Sequence, residues 1–377
     1  MASCRARAAV AETSAASAGR VGRGENSPEV AIAIVTCDRR ELLGACLESI
    51  DALDYPADRI EVLVFDNGSS DGTREWLRAE RPRVRLLESP SNQGFAAPND
   101  RCAEAASAPL LCLVNNDVRL HPAFLRELVD ARRTSGAACV GARILDGSGD
   151  RIEFDGGVMS FDGHAAPRGW GDPAPPLLGE APGTTVPSLF ASGGAMLVDR
   201  AVFLEAGGFD EDYFAYFEDV DFGWRAWVLG HRVAVAPRAI AWHREHGSEG
   251  LLPPGRRIEL LERNALLSVW KNYEPARAER AFACAIALAA ERARIEPARA
   301  AACERAVLGA AALLPRAQER RQAIQARRLR GDAEIAPLFR EPMRPPIGGT
   351  EYAARLAEVA RLFGMTDLFE VAGREGG

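Results

Sequence analysis

Leu110-Leu111-Cys112-Leu113-Val114-Asn115-Asn116-Asp117 is an unbroken apolar run that stops at three polar side chains. Apolar residues without alternation predict a strand buried on both faces, as in the middle of a parallel sheet. In an open α/β sheet, ligands sit beyond the carboxyl ends of the strands, so this polar tip is aimed at a binding crevice. A carboxylate there is a natural ligand for a hard divalent cation bridged to phosphates. Asn-Asn-Asp is also the composition of a turn leading into the helical segment at His121-Pro122. The run alone leaves both readings open.

Its neighbours repeat the pattern. Val30 to Thr36 predicts a first strand, with Cys37-Asp38-Arg39-Arg40 at its tip. Leu42, Leu43, Cys46, Leu47 and Ile50 then share one face of a helix over residues 41–53. A second strand, residues 60–65, ends in the turn-rich Asp66-Asn67-Gly68-Ser69-Ser70-Asp71-Gly72-Thr73, and a third, 84–87, leads to Asn92-Gln93-Gly94-Phe95 and another helix. Strand–helix alternation at this spacing predicts right-handed βαβ units in a mostly parallel sheet. No tip carries a dinucleotide G-x-G-x-x-G or a G-x-x-x-x-G-K-[ST] phosphate loop, so side chains and a metal, not a glycine cradle, hold the ligand.

The second half reads differently. Residues 145–188 are rich in Gly and Pro, with short strands at 152–154 and 158–161 expected to pair as a hairpin. Ser192 to Asp199 predicts a strand with a glycine entry. Glu218, Asp219 and Asp221 then stand inside an aromatic, apolar helical segment, where burying acids is expensive. On that helix Glu218 and Asp221 share a face and Asp219 points elsewhere. The plainer alternative is a helix start enriched in acids for its dipole. Strands at 232–237 and 240–243 close the pattern, ending in Trp242-His243.

Four motifs in order carry a family resemblance: Val35-Thr36-Cys37-Asp38-Arg39, Phe65 to Thr73, Asn92 to Phe95, and Val114-Asn115-Asn116-Asp117. They resemble the signatures of family 2 glycosyltransferases of the GT-A fold, in particular the rhamnosyltransferase-like, non-processive branch. The likeness runs from about residue 29 to residue 273. It implies a Rossmann-like sheet flanked by helices, and an inverting transfer from a nucleotide-diphosphate sugar, dTDP-rhamnose or a UDP-sugar, to a glycan or lipid-linked acceptor. It implies that Thr36, Asp38, Arg39, Asp66, Asn92 and Asn116 surround the nucleotide, and that Asp117 holds Mg²⁺ or Mn²⁺ against the diphosphate. His243 matches a position where the family often ligates the metal, with His246 a rival. Glu218-Asp219 matches the acidic pair that supplies the catalytic base, Asp219 taking the proton. The Gly- and Pro-rich stretch would cover the acceptor. One departure stands out: the family's metal motif usually carries two carboxylates, and Asn115-Asn116-Asp117 offers one.

A sugar-1-phosphate nucleotidyltransferase would need a glycine-rich loop after the first strand, which Thr36 to Arg40 lacks. A non-catalytic nucleotide-sugar-binding protein remains the alternative. The bulk numbers fit either: 377 residues, 47% hydrophobic, net charge −7, which argues against nucleic acid as a partner. Eight cysteines without a CxxC pair favour a reducing, cytoplasmic compartment. No apolar run reaches the roughly 18–20 residues of a membrane span.

Charge divides the chain. Residues 251–377 carry 21 Lys and Arg against 16 Asp and Glu, leaving the first 250 residues at −12. Three parts are expected: a disordered tail over 1–27, a glycosyltransferase domain over 28–250, and a helical extension over 251–377. In the extension, Arg316, Arg320, Arg321, Arg327, Arg328 and Arg330 give one basic side. It is read either as a solvated helix face or as a seat for an anionic membrane surface or lipid-phosphate acceptor.

Overall fold

Alternate residues of the first strand face two different cores, which is why it is apolar throughout. In the computed structural model, which describes residues 27–177, 181, 183–244, 253–339 and 349–366, Val30, Ile32 and Ile34 pack with Leu43 and Leu47 on one side. Ala31 and Ala33 pack with Cys102, Ala103 and Phe209 on the other. The strands β1 (Val30–Thr36), β2 (Ile60–Asn67), β3 (Val84–Ser89) and β4 (Leu110–Asn115) are parallel in the order β3-β2-β1-β4. Helices α1 (Arg40–Asp51), α2 (Thr73–Glu80) and α3 (Ala96–Ala105) make the crossovers.

Beyond β4 the sheet turns mixed. A short β5 (Val118–Leu120) intervenes before α4 (Phe124–Ser135). β6 (Cys139–Leu145) is followed by β7 (Ile152–Phe154), β8 (Gly157–Met159), β9 (Ala165–Pro167), β10 (Val186–Pro187) and β11 (Ala195–Asp199). β11 lies antiparallel between β4 and β6, and β12 (Val233–His243) runs parallel to β6 and antiparallel to β5. Between β11 and β12 stand α5 (Arg200–Glu205) and α6 (Glu218–Val228). The expected hairpin between residues 152–154 and 158–161 does not form. β7 pairs with β6 and β8 with β9 instead.

The C-terminal helices α7 (Arg256–Asn272), α8 (Pro275–Ile295), α9 (Ala300–Ala326), α10 (Asp332–Ile335) and α11 (Gly349–Leu362) follow. α7 is unusual in burying polar side chains: Glu262, Arg263, Asn264, Ser268, Lys271 and Asn272. They meet buried partners on the sheet side. Lys271 Nζ lies 2.5 Å from Asp210 and 3.0 Å from Asp221, and Asn272 donates to Asp221 at 2.9 Å. Burial alone would raise the Asp221 pKa, yet Lys271 and Arg225 overcome it and hold the carboxylate at about 2.

The expected basic seat is corrected by this packing. Arg321 is buried and donates to the carbonyls of Trp270 and Tyr273, Arg328 donates to the Asn272 carbonyl, and Arg330 to that of His231. Arg327 reaches the Glu205 carbonyl, while Arg316 and Arg320 pair with Asp212. These guanidiniums close helix ends and bind the sheet side, so they do not form one outward cationic surface. Guanidinium, with five donors in a fork, suits carbonyls at a helix end better than an amine does.

Candidate active site

The parallel strands deliver their tips side by side, since Thr36 is in register with Asp66 and Val35 with Asn115. Asn116 Nδ2 donates to Thr36 Oγ1 at 2.9 Å, and Thr36 Oγ1 donates to the Asp38 carbonyl at 2.9 Å. Asp38 and Arg39 both adopt left-handed backbone, φ 57° and 67°. That turn is tied to the next strand tip: Asp38 N donates to Ser69 Oγ at 2.7 Å, and Ser70 N to Asp38 Oδ1 at 2.7 Å. Asp66 is fully buried; its Oδ1 accepts from Arg74 Nε at 2.5 Å and its Oδ2 has no partner. Asn92 is exposed, with its Oδ1 fixed by Asn67 Nδ2 at 3.1 Å and Gly94 N at 2.8 Å. All six residues expected around a nucleotide thus lie on or beside one carboxyl edge.

The two residues expected to hold a metal lie side by side. Asp117 Oδ1 is buried without a hydrogen bond, and His243 Nε2 lies 3.4 Å from it. With the imidazole protonated this contact is an ion pair; with it neutral, the same oxygen and nitrogen would suit a divalent cation. Among the described residues no cluster of three or more His, Cys, Asp or Glu could hold a metal, so phosphate oxygens or water would complete the shell. The other ring nitrogen, Nδ1, is 2.7 Å from Glu153 Oε2 on β7. Burial would lower the His243 pKa, but the two carboxylates beside it, Asp117 and Glu153, more than offset it and raise it to about 10. His246 lies outside the described residues.

Opposite stands the acidic pair. Asp219 Oδ2 accepts from Gly193 N at 2.9 Å and Oδ1 from Val220 N at 2.8 Å, at the β11 entry beside the β4 tip. Gly194 O, one residue on, accepts from Asn115 N at 2.9 Å, which puts Asp219 next to the end of β4, two residues before Asp117. Asp219 is half-buried, whereas Glu218 is buried with Oε2 unpartnered. Burial, then the neighbouring Asp219 charge, pushes Glu218 well above the usual carboxylate range. Burial also raises Asp219, and its backbone donors partly counter this. Burial thus pushes both carboxyls of the pair upward, Glu218 the further.

Strained backbone sets where the pair points. Phe214 has φ 65° and ψ −63°, and Ala215 N donates to Tyr213 O at 2.7 Å, a γ-turn of the rare, strained hand. Tyr216 and Phe217 follow at φ 69° and 65°. Bulky residues in such regions cost of order 1–3 kcal/mol each and persist only when the surroundings over-determine them. One such constraint comes from Gly94, where a Cβ would stand 2.3 Å from Phe214 O. Phe95 N donates to that same oxygen at 2.5 Å.

Two features escaped the sequence reading. Glu153 sits in Arg151-Ile152-Glu153-Phe154, an acid amid apolar residues of an expected strand, which was the available signal. Arg263-Asn264 lies on a helix face that periodicity alone marks as interrupted.

This edge of strand tips, a carboxylate–imidazole pair and an acidic helix start on the far side define a GT-A glycosyltransferase. Residues 31–203 match the family model for glycosyl transferase family 2. The chain shares 32% identity over 214 residues with N-acetylglucosaminyl-diphospho-decaprenol L-rhamnosyltransferase of Mycobacterium tuberculosis, covering 52% of this chain and 69% of that protein. It is therefore a member of glycosyltransferase family 2. O-antigen biosynthesis protein RfbC of Myxococcus xanthus is 29% identical over 228 residues, 59% of this chain and 18% of that protein. Among solved structures, GalNAc-T7 with UDP, GalNAc and Mn²⁺ matches at TM-score 0.52 and 15% identity, covering 69% of this chain and 51% of the other. TarS 1-349 of S. aureus with UDP-GlcNAc matches at TM-score 0.51 and 13% identity, covering 90% and 91%. At such identities the likeness speaks for the fold. No described helix is long and apolar enough to cross a membrane.

Proposed function

We propose that this glycosyltransferase moves a sugar from a nucleotide-diphosphate donor to an acceptor hydroxyl with inversion at the anomeric carbon. The observation that carries the reading is Asp219, a half-buried carboxylate anchored on Gly193 N beside the edge where the strand tips meet. Asp219 takes the proton of the acceptor hydroxyl as that oxygen attacks the anomeric carbon. The bond to the diphosphate breaks on the opposite face, so no covalent nucleophile is needed. Burial beside Asp219 pushes Glu218 toward its neutral form, which would limit the negative charge of the pair. Thr36, Asp38, Arg39, Asp66, Asn92 and Asn116 hold the nucleotide. Asp117 and His243 would hold Mg²⁺ or Mn²⁺, which when bound neutralises charge growing on the departing diphosphate. Glu153 orients the His243 ring and fixes its tautomer, as carboxylates behind ligating histidines do.

The mycobacterial relative's name supports a rhamnosyl donor and a polyprenyl-diphosphate-linked acceptor. The described cysteines are all free and mostly buried, which supports work in a reducing, cytoplasmic compartment. Turnover of Asp219→Asn tests the reading: it falls about 10²–10⁴-fold, as for loss of a general base, with donor affinity unchanged. A variant keeping more than about a tenth of wild-type turnover assigns the base elsewhere.

A further inference from the structure

The three strained residues before α6 need something to hold them, and the holder comes from α7. Asn264 is fully buried, and its Nδ2 lies 2.7 Å from the Tyr216 carbonyl, 3.0 Å from that of Ala215 and 3.2 Å from that of Tyr213. Its Oδ1 accepts from Arg263 Nε at 3.0 Å, which fixes the amide so that nitrogen, not oxygen, faces the loop. Arg263 Nη2 adds bonds to the carbonyls of Asp212, at 2.7 Å, and Tyr213, at 2.9 Å. Five carbonyl contacts from two adjacent side chains thus converge on residues 212–216, directly ahead of Glu218 and Asp219.

We propose that Asn264, oriented by Arg263, is a positioning residue for Asp219. It holds the 214–217 backbone, with Phe214, Tyr216 and Phe217 at positive φ, and that conformation sets the direction in which the first turn of α6 presents the carboxylate. The proposal rests on Asp219 being the base. Amide and carbonyls have matched polarity here, and a carboxylate could not replace the amide. Asn264→Asp would place an acceptor against three acceptors, and Asn264→Ala would leave carbonyls without their donor. On the opposite side the loop is held by Phe95 N, at the donor-side turn. The base is therefore clasped between the helical extension and the nucleotide edge, and a misplacement of about 1 Å at such a site costs on the order of 10²-fold in rate.

The test is a double-mutant cycle on the full chain, with transfer kinetics and donor titration read together. Asn264→Ala lowers kcat by about 10²-fold, with donor Kd unchanged. In an Asp219→Asn background the same change lowers kcat less than about twofold, because a residue acting through Asp219 has nothing left to position. Ser268→Ala is the control for plain destabilisation: it removes the Tyr213 hydroxyl's partner at 2.8 Å, on the same helix, without touching the loop carbonyls. Should Asn264→Ala fold poorly, Arg263→Lys, which loses the Nε donor that orients the amide, takes its place in the cycle. Equal kcat losses from Asn264→Ala in both backgrounds overturn the proposal, as does an equal loss from Ser268→Ala. If Asp219→Asn itself turns over normally, the base assignment fails; if only Asn264→Ala does, the clamp alone fails.

Discussion

The nucleotide edge and the acidic pair are positioned by opposite means. The edge is built from strand tips whose turn residues bind each other across adjacent parallel strands, as Ser70 binds Asp38 and Asn116 binds Thr36. Its geometry follows from the sheet. The acidic pair starts a helix that leaves a strained loop, and what holds it is a polar face of α7 from beyond the sheet. With the proposed roles, binding a donor would need only the sheet edge, whereas placing a base would need the extension. The extension is part of the catalytic apparatus in this account.

The contrast is most easily broken at Lys271. Replacing it by Met strands Asp210 and Asp221 without their shared ammonium, and breaking a buried pair in this way costs about 3–5 kcal/mol. Thermal unfolding should show that loss, and donor binding by the protein that remains folded should be intact. Acid probes the same docking. Asp221 and Glu262 are both held at about 2, Glu262 because His164 and Arg292 overcome its burial. Carboxylates depressed in the fold contribute stability above their unfolded values, and it drains away as pH falls toward 2. Urea midpoints measured from pH 5 downward should fall more steeply in wild type than in a protein carrying Asp221→Asn. Parallel curves would detach the pair from acid stability.

A smaller effect sharpens the other side. Glu153→Gln removes the carboxylate behind His243 and should weaken metal affinity about 10–100-fold, as loss of such partners does. Mn²⁺ binding followed directly, without turnover, reads this; an unchanged affinity removes Glu153 from the site. The smallest expected change is a gain. Glu218 has a carboxyl raised in the folded state, so its folding stability is fullest below the unfolded value and declines as pH rises toward the folded one. Glu218→Gln escapes that decline and should melt higher than wild type near pH 7 but equally near pH 4. A lower melting point at pH 7 would mean that the ionised form is held by something unrecognised.

The two regions also differed in how far they could be read from sequence. Apolar runs ending in Asp, Asn, Ser and Gly are local signals, so β1, β2 and β4 and the residues at their tips were legible before any contact was known. Acids amid aromatics are locally anomalous and mark Glu218, Asp219 and Asp221 together, while the choice of Asp219 as base comes from the family resemblance. Glu153 meets His243 ninety residues away, and Asn264 meets Tyr216 forty-eight residues away, so no window of sequence contains either relation. The arginines of 316–330 show the limit most plainly. Helical spacing says which of them share a side, but not whether that side meets lipid, solvent or the carbonyls of Trp270 and Tyr273.

The division of labour is tested most directly by titrating one nucleotide diphosphate into wild type, Asp117→Ala and Asp219→Asn, each with Mn²⁺ and with a chelator. The account predicts that wild type and Asp219→Asn bind alike and more tightly with Mn²⁺. Asp117→Ala should bind as weakly with the metal as without it. Equal affinity of wild type under both conditions would contradict the metal role of Asp117, and loss of binding in Asp219→Asn would contradict an edge that holds the donor independently of the base.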